Sequence, residues 1–297
     1  MIKMKEILAI LCIAALVITT TVRAQTAESK NDKMEVPKER IAYQCPMKCE
    51  GEKTYEKPGN CPICGMNLKE VHLTNTSYSQ NSTANNSSLK IIGAMRNVMM
   101  KGELFGTIDL DTISDKQHIY GLGPVEYLTG EIIIIDGKAY KSVVTDEKTM
   151  KVNETFKMKA PFFAYANIES WLETEIPVSI STIQQLEAFI DHITKSDAPP
   201  FFFKVTAIVN TATIHVVNLP KGTKVSSPDD SHKGQRSYII KNEPIELLGF
   251  FSRAHRAIFT HHDTNVHIHL ITADRQKMGH LDSLNIRSGS AKLYLQK

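Results

Sequence analysis

The sequence predicts a mostly β protein of the α+β class, with mixed or antiparallel sheets, few helices and a small cysteine module in front. Segments of alternating apolar and polar residues recur from about residue 90 onward, which is typical of strands with one buried face. One helix stands out, because apolar residues at three- and four-residue spacing line one face of residues 181–193. The 297 residues are 42% hydrophobic and 23% charged, as in globular proteins, and a dispersed net charge of +3 argues against nucleic-acid binding.

Residues 1–24 have the pattern of a secretory signal peptide. Lys3 and Lys5 precede an apolar stretch of about twelve residues, which is short for a membrane span. Small residues up to Ala24 predict cleavage before Gln25, and a single N-terminal anchor is the alternative. We therefore expect an exported protein, in a bacterial periplasm, with no stable membrane span after cleavage.

Four cysteines follow within one twenty-residue window of a predicted module at residues 41–71. They are Cys45, Cys49, Cys61 and Cys64, and residues 65–297 contain none. Two such pairs with Pro and Gly beside them are typical of a tetrahedral four-thiolate site, in which the metal supplies much of the stability of a small module. Two disulfides remain the alternative in an oxidising compartment.

The segment PGNCPICGM at residues 58–66 resembles the small heavy-metal-binding domain attached to bacterial metal-efflux proteins. Lys48 stands where that family has a histidine, and Cys49 is an additional thiol, so the metal stays open between zinc and copper. Residues 72–90 are rich in Asn, Ser and Thr and predict a flexible linker. The main domain is expected to span residues 91–297.

The expected elements of the main domain follow in chain order. Strands are predicted at 104–110 and 131–135, and the second continues through an Asp136-Gly137 hairpin turn into a run at 139–143. Ser181 is the expected helix cap, with Gln184 completing a capping box. Further strands are expected at 162–168, 201–210, 213–217 and 266–271.

His267 and His269 lie two positions apart in the alternating segment at residues 265–271. On a strand they share one face, while the apolar residues between them face a core. His280 is expected to bring a third imidazole from a nearby turn. Three neutral imidazoles leave the charge of a divalent ion intact and one coordination position open, as a catalytic zinc site requires.

Three segments resemble bacterial α-acetolactate decarboxylases: GELFGT at 102–107, LTGEIIIIDGKAY at 128–140, and VHIHLITADR at 266–275 followed by Gly279-His280. The resemblance implies that family's fold, zinc bound by the three histidines, and Glu131 as the active-site carboxylate. It also implies conversion of 2-acetolactate, or a similar 2-hydroxy-3-oxo acid, to acetoin and CO2. Zinc would stabilise the enediolate, and the carboxylate would move a proton.

Two departures from the family affect the substrate groups. Lys204 is the best counterpart of an arginine that contacts the substrate, although it lacks the bidentate fork and an edge-strand lysine is the alternative. A C-terminal glutamate of the family has no counterpart. His261, His262 and Asp263 could line the pocket or replace a proton carrier, or they could form a solvated loop.

The expected partners are a small-molecule substrate and metal ions, and the sequence is compatible with a homodimer. Two other functions compete with the decarboxylase. One is a non-catalytic periplasmic metal-handling protein that retains the fold, which the altered substrate groups and the cysteine module favour. The other is a cupin-type oxygenase, which the absence of the usual Glu and Gly spacing around the histidine pair disfavours.

Overall fold

The computed structural model describes residues 40–45, 53–61, 67–73 and 89–296. The predicted signal peptide, most of the predicted linker, Cys49 and Cys64 lie outside the described residues. Among the helices within those four ranges, none is long and apolar enough to cross a membrane.

The cysteine module contains a three-stranded antiparallel sheet with the order β2-β1-β3. Its strands are β1 (Arg40–Gln44), β2 (Thr54–Tyr55) and β3 (Lys69–Leu73). Cys45 directly follows β1, and Cys61 lies between β2 and β3. The two residues lie close together and are 3% and 1% exposed, so two of the four expected thiolate ligands are adjacent and shielded from water.

The main domain is built from fifteen strands, three α-helices and two short 3-10 helices within the described range 89–296. Its α-helices are α1 (Met95–Lys101), α2 (Ile183–Ile193) and α3 (Pro228–Ser231). Its strands are β4 (Lys90–Ile92), β5 (Ile108–Asp109), β6 (Ile119–Pro124), β7 (Glu131–Ile135), β8 (Lys138–Val144), β9 (Met150–Glu154), β10 (Lys159–Ala160), β11 (Phe163–Asn167), β12 (Trp171–Thr174), β13 (Phe201–Val216), β14 (Arg236–Lys241), β15 (Pro244–Phe251), β16 (Val266–Thr272), β17 (Met278–Ile286) and β18 (Lys292–Gln296).

Two large sheets organise these strands, and every named strand pair is antiparallel. The six-stranded sheet has the order β4-β11-β6-β7-β8-β9, and β5 and β10 form a separate ribbon. The seven-stranded sheet has the order β12-β18-β13-β15-β16-β17, with β14 on β13. Because β17 also pairs with the second half of β13, strands β13, β15, β16 and β17 form a closed circuit of hydrogen-bonded pairs.

The largest core cluster lies between the two sheets. Ile133 on β7 and Ile271 on β16 both belong to it. A second cluster joins the other face of the seven-stranded sheet to Leu186 and Ile190 of α2. A third cluster covers the outer face of the six-stranded sheet, which explains why all five residues of β7 are buried. The mostly β fold with few helices is therefore confirmed.

The predicted hairpin between β7 and β8 is confirmed. Asp136 and Gly137 both have positive φ, at 47° and 75°, which is the backbone of a type I′ turn. A Cβ atom at residue 137 would lie 2.3 Å from the carbonyl oxygen of Lys116. The turn therefore needs glycine both for its conformation and for this close approach.

Two predicted strand boundaries are wrong. Only Ile108–Asp109 of the expected 104–110 strand is extended, because the preceding residues bond to a loop: Tyr127 N donates to Leu104 O at 2.7 Å. The expected strands at 201–210 and 213–217 are one strand, β13, in which polar residues around 210 form a register shift instead of a break.

The helix cap lies one residue later than predicted. Thr182, rather than Ser181, is the N-cap of α2, and its side chain accepts a hydrogen bond from Gln185 N at 3.2 Å. The Gln185 side chain in turn accepts from the Thr182 N–H at 3.2 Å. The capping box is thus present, but it uses Gln185 in place of Gln184.

Candidate metal centre

Three histidines converge where β16 and β17 pair. His267 and His269 lie on one face of β16, and His280 on β17 is the direct cross-strand neighbour of His269. One nitrogen from each residue lies within 4.8 Å of the others, a grouping that could hold a metal ion. His280 therefore reaches the group from a strand, and the expected turn is wrong. His267 and His269 share one face of β16 as predicted, since Ile268 and Leu270 pack into the core on the opposite face of the strand.

Backbone carbonyls fix the orientation of two of these rings. His267 Nδ1 donates to Phe259 O at 2.8 Å, and His269 Nδ1 donates to Ile132 O at 2.9 Å. Each Nε2 then carries the lone pair that a metal accepts. The Nε2 atom of His269 is buried and has no hydrogen-bond partner, so coordination to a metal ion would satisfy an otherwise orphaned polar atom.

The three imidazoles are held neutral. Burial lowers the pKa of His267 and His280 well below the ordinary value, and nearby histidines add to the effect. Burial also lowers the pKa of His269, to about 3. The neutral imidazole is the form that coordinates metals, so no deprotonation is needed at neutral pH.

A buried carboxyl group faces this set from the other sheet. Glu131 begins β7, is 3% exposed, and has its Oε2 3.6 Å from His269 Nε2. Burial raises the pKa of Glu131 to about 8, although the charge of His215 and a 3.3 Å hydrogen bond from Val217 N act in the opposite direction. The carboxyl group is therefore protonated near neutral pH in the metal-free protein and is chemically able to donate a proton.

Glu131, His267 and His280 open onto a cavity between the two sheets, and His269 is not among its lining residues. Helix α1, the loop before β7, the end of β13 and the segment after α3 complete its wall. Its lining residues are Met95, Met99, Pro124, Leu128, Glu131, Phe162, His215, Val217, Ser231, His232, His261, His267 and His280. The cavity thus combines apolar walls with a carboxyl group, five imidazoles and two thioethers.

His215 is a cavity residue that the sequence reasoning missed. It lies on β13 directly opposite His280, and its Nδ1 is 2.6 Å from Asp282 Oδ1. Burial favours its neutral form, but the hydrogen bond to Asp282 and the charges of Glu131 and Asp282 outweigh burial and raise its pKa. A single histidine among apolar residues has no diagnostic spacing. The available clue was Asp282, which shares the strand face of His280 two positions away.

The structure places Lys204 outside this cavity, against the expectation that it holds the substrate. Its Nζ lies 5.5 Å from the ring centre of Trp171, 4.9 Å from that of Tyr294, and 3.9 Å from Glu246 Oε1. Lys204 and His215 are eleven positions apart on β13, which corresponds to roughly 35 Å of extended strand. Lys204 therefore contributes to a cation–π cluster at the other end of the sheet.

The segment 261–263 is divided between the cavity and the solvent. His261 lines the cavity, and its Nε2 is 3.3 Å from His280 Nε2. His262 and Asp263 are exposed and do not line it. His261 thus agrees with the expectation that this segment lines the pocket, whereas His262 and Asp263 agree with the expectation of a solvated loop.

Family comparisons match both parts of the chain. The model of the family "Alpha-acetolactate decarboxylase" matches residues 93–297, and the "Heavy metal binding domain" model matches residues 42–71. A comparison with curated protein sequences finds no match.

Solved structures resemble the main domain in fold. An α-acetolactate decarboxylase from Bacillus subtilis strain 168 has a TM-score of 0.59 at 18% identity, over 70% of this chain and 85% of that chain. An acetolactate decarboxylase from Bacillus subtilis subspecies spizizenii gives the same score and identity over 70% and 86% of the two chains. A Staphylococcus aureus protein of unknown function similar to that enzyme has a TM-score of 0.56 at 17% identity, over 70% and 84%.

Proposed function

The chain belongs to the α-acetolactate decarboxylase family, and from this membership we propose that it is an exported, zinc-dependent carboxy-lyase. Its proposed substrate is 2-acetolactate or a similar 2-hydroxy-3-oxo acid, and its products are acetoin and CO2. One observation carries the proposal most directly: the buried carboxyl group of Glu131 lies 3.6 Å from the unpartnered Nε2 of His269. A proton-transfer group therefore stands beside the three imidazoles at one cavity.

The residues of the cavity fit the demands of decarboxylation. When the bond to the carboxylate breaks, CO2 leaves and the electron pair stays on the substrate, where an enediolate forms. His267, His269 and His280 would hold a divalent ion, which would supply a Lewis acid for the negative charge that develops on the substrate. Glu131, whose burial raises its pKa to about 8 in the metal-free protein, would deliver a proton to the carbon that lost CO2, and solvent protons would restore it. The apolar walls limit the access of water to the reacting carbon.

Acetoin release by the mature protein tests this function. Racemic acetolactate is supplied to the zinc-loaded protein, the chelator-treated protein and the Glu131→Gln variant. We expect zinc-dependent acetoin formation above the spontaneous rate in the first sample alone. Equal rates in all three samples would exclude the decarboxylase function.

A second candidate function is metal handling without catalysis. Met95, Met99, His215, His232 and His261 surround the three-histidine group, so the cavity offers more soft and nitrogen donors than a catalytic zinc site needs. The location of Lys204 outside the cavity agrees with this alternative. Copper binding by both domains that survives Glu131→Gln, without acetoin release from any sample, would favour it.

We also propose a location and a role for the N-terminal part of the chain. The composition of residues 1–24 supports export to a bacterial periplasm. The heavy-metal-binding match and the buried neighbours Cys45 and Cys61 support a zinc or copper site that Cys49 and Cys64 complete. Metal analysis of the mature chain before and after Cys45→Ser and Cys61→Ser separates this site from the histidine centre. Gel filtration with light scattering tests whether the protein forms a homodimer, with which its sequence is compatible.

A further inference from the structure

His261 lies in a loop that is fixed at both ends between β15 and β16. Ser252 N donates to Asn265 O at 2.8 Å, which closes the base of the loop. Glu187 on α2 accepts hydrogen bonds from Thr264 Oγ1 at 2.5 Å and from Asn265 N at 2.7 Å. The position of His261 at the cavity is therefore set by contacts to a helix and a strand.

The spacing between His261 and His280 fits two ligands of one ion. Their Nε2 atoms are 3.3 Å apart, and their ring centres are 5.2 Å apart. In the metal-free protein the two nitrogens are within hydrogen-bond distance of each other. Two nitrogens at the corners of a tetrahedral zinc site, with bonds of about 2.0–2.1 Å, lie about 3.3–3.4 Å apart.

We propose that His261 is a fourth imidazole ligand of the metal centre, in addition to His267, His269 and His280. This inference rests on the metal binding that the proposed function requires. Four protein ligands would close the position that a catalytic zinc site keeps open. Because His267, His269 and His280 lie on paired strands and His261 lies in a loop, His261 would be the ligand that a substrate oxygen replaces. The resting centre would have the coordination of a structural zinc site.

Competition by free imidazole tests the fourth ligand without any activity measurement. The full mature chain carries Cys45→Ser and Cys61→Ser, so that cobalt(II) is retained at the histidine centre, and its visible spectrum reports the coordination. His261→Ala is compared with His262→Ala, a matched control because His262 is exposed beside it. We expect His261→Ala to bind imidazole at least tenfold more tightly than the parent chain, and the control to behave as the parent.

Equal imidazole affinity in the parent chain and in His261→Ala overturns the inference. A second measurement does not depend on the folding of a variant: X-ray absorption of the zinc-loaded parent chain counts its imidazole ligands. Four imidazoles are expected, and three would overturn the inference while leaving the proposed decarboxylase intact. If the parent chain binds no metal at this centre, both proposals fail.

Discussion

Glu131 and His269 face each other from two different sheets, with Oε2 of the carboxyl group 3.6 Å from Nε2 of the imidazole. Both side chains are almost entirely excluded from water, at 4% and 0% exposure. The carbonyl of Ile132, next to Glu131, also accepts the hydrogen bond from the other nitrogen of His269. Strand β7 therefore orients the imidazole ring and supplies the carboxyl group beside it.

Replacement of Glu131 should separate catalysis from metal binding. Glu131→Gln keeps the shape of the side chain and an acceptor for Val217 N, but it cannot exchange a proton. We expect kcat for acetoin release to fall by about 10²–10⁴, the usual contribution of a general acid or base, with zinc content unchanged. Activity within about threefold of the parent would rule out a proton-transfer role.

The same variant should change how the stability of the metal-free protein depends on pH. The folded carboxyl group keeps its proton up to a pKa of about 8, whereas the unfolded one loses it near its ordinary value of 4.5. Between these values the unfolded state binds fewer protons, so the stability from the protonated group is present below pH 4.5 and is lost as pH rises through 8.

Metal-free Glu131→Gln should therefore be more stable than the parent at pH 8 by at least about 1 kcal/mol, or about 2–4 °C in Tm. The difference should shrink toward pH 4. Thermal unfolding in the presence of a chelator, followed by circular dichroism across this range, measures it. A constant difference at all pH values would show that the pKa of Glu131 is not raised.

Metal removal should destabilise the main domain through the three-histidine group. Zinc at about 100 times its Kd adds about 2.7 kcal/mol to the free energy of unfolding, or about 5–10 °C in Tm. We expect His269→Ala to lose this zinc-dependent increase and His118→Ala, an exposed histidine, to retain it. Scanning calorimetry with and without zinc makes the comparison. An unchanged increase in His269→Ala would place the metal elsewhere.

Gly279 should be required for the approach of β17 to β13. A Cβ atom there would lie 2.3 Å from the carbonyl oxygen of His215, beside His280. We expect Gly279→Ala to cost about 1–3 kcal/mol of stability and to weaken zinc binding at least tenfold, because the strands must separate. Gly289→Ala is the control: its positive φ makes the substitution strained, but nothing lies within 4 Å of the added carbon. Similar zinc affinity in both variants would contradict the prediction.

Lys204→Met should affect stability rather than catalysis. The side chain is surrounded by Tyr120, Trp171 and Tyr294 and pairs with Glu246. Loss of its charge should lower the free energy of unfolding by about 1 kcal/mol and leave acetoin release within about twofold. Urea denaturation and steady-state kinetics measure the two effects. A large increase in KM would support the substrate-binding role that the sequence predicted.

The sequence could predict the parts of the site that repeat with the period of a strand. Alternation in β16 placed His267 and His269 on one face, and the Asp136-Gly137 turn placed Glu131 at the start of a hairpin. The distance between Glu131 and the two histidines depends on how the two sheets dock, and no local sequence pattern encodes that docking. For the same reason, His215 could not be assigned to the cavity, although it lies opposite His280.

The boundaries of β13 and the location of Lys204 were harder to predict, for a different physical reason. The polar residues near 210 are compatible with both a break and a bulge, and only pairing with β17 decides in favour of the bulge. The sequence around a lysine with aromatic neighbours does not distinguish a binding site from a cation–π cluster, because the lysine carries the same charge in both. Its location follows from the length of β13, which was expected to be two strands.

The hydrogen bond between His269 and Ile132 joins residues 137 positions apart, and this separation determines when the His269 ring gains its fixed orientation. Contacts between distant residues form late in folding, because the entropy of closing the loop must be lost first. The three expected metal ligands themselves lie close together in the sequence, on the paired strands β16 and β17, so only the orienting carbonyl of Ile132 and the carboxyl group of Glu131 must wait until the two sheets dock. The expected ligands of the cysteine module also lie within twenty residues, and metal would supply much of the stability of so small a module. Both expected metal sites are thus local in sequence, and the histidine centre alone depends on the docking of two sheets for the groups that surround it.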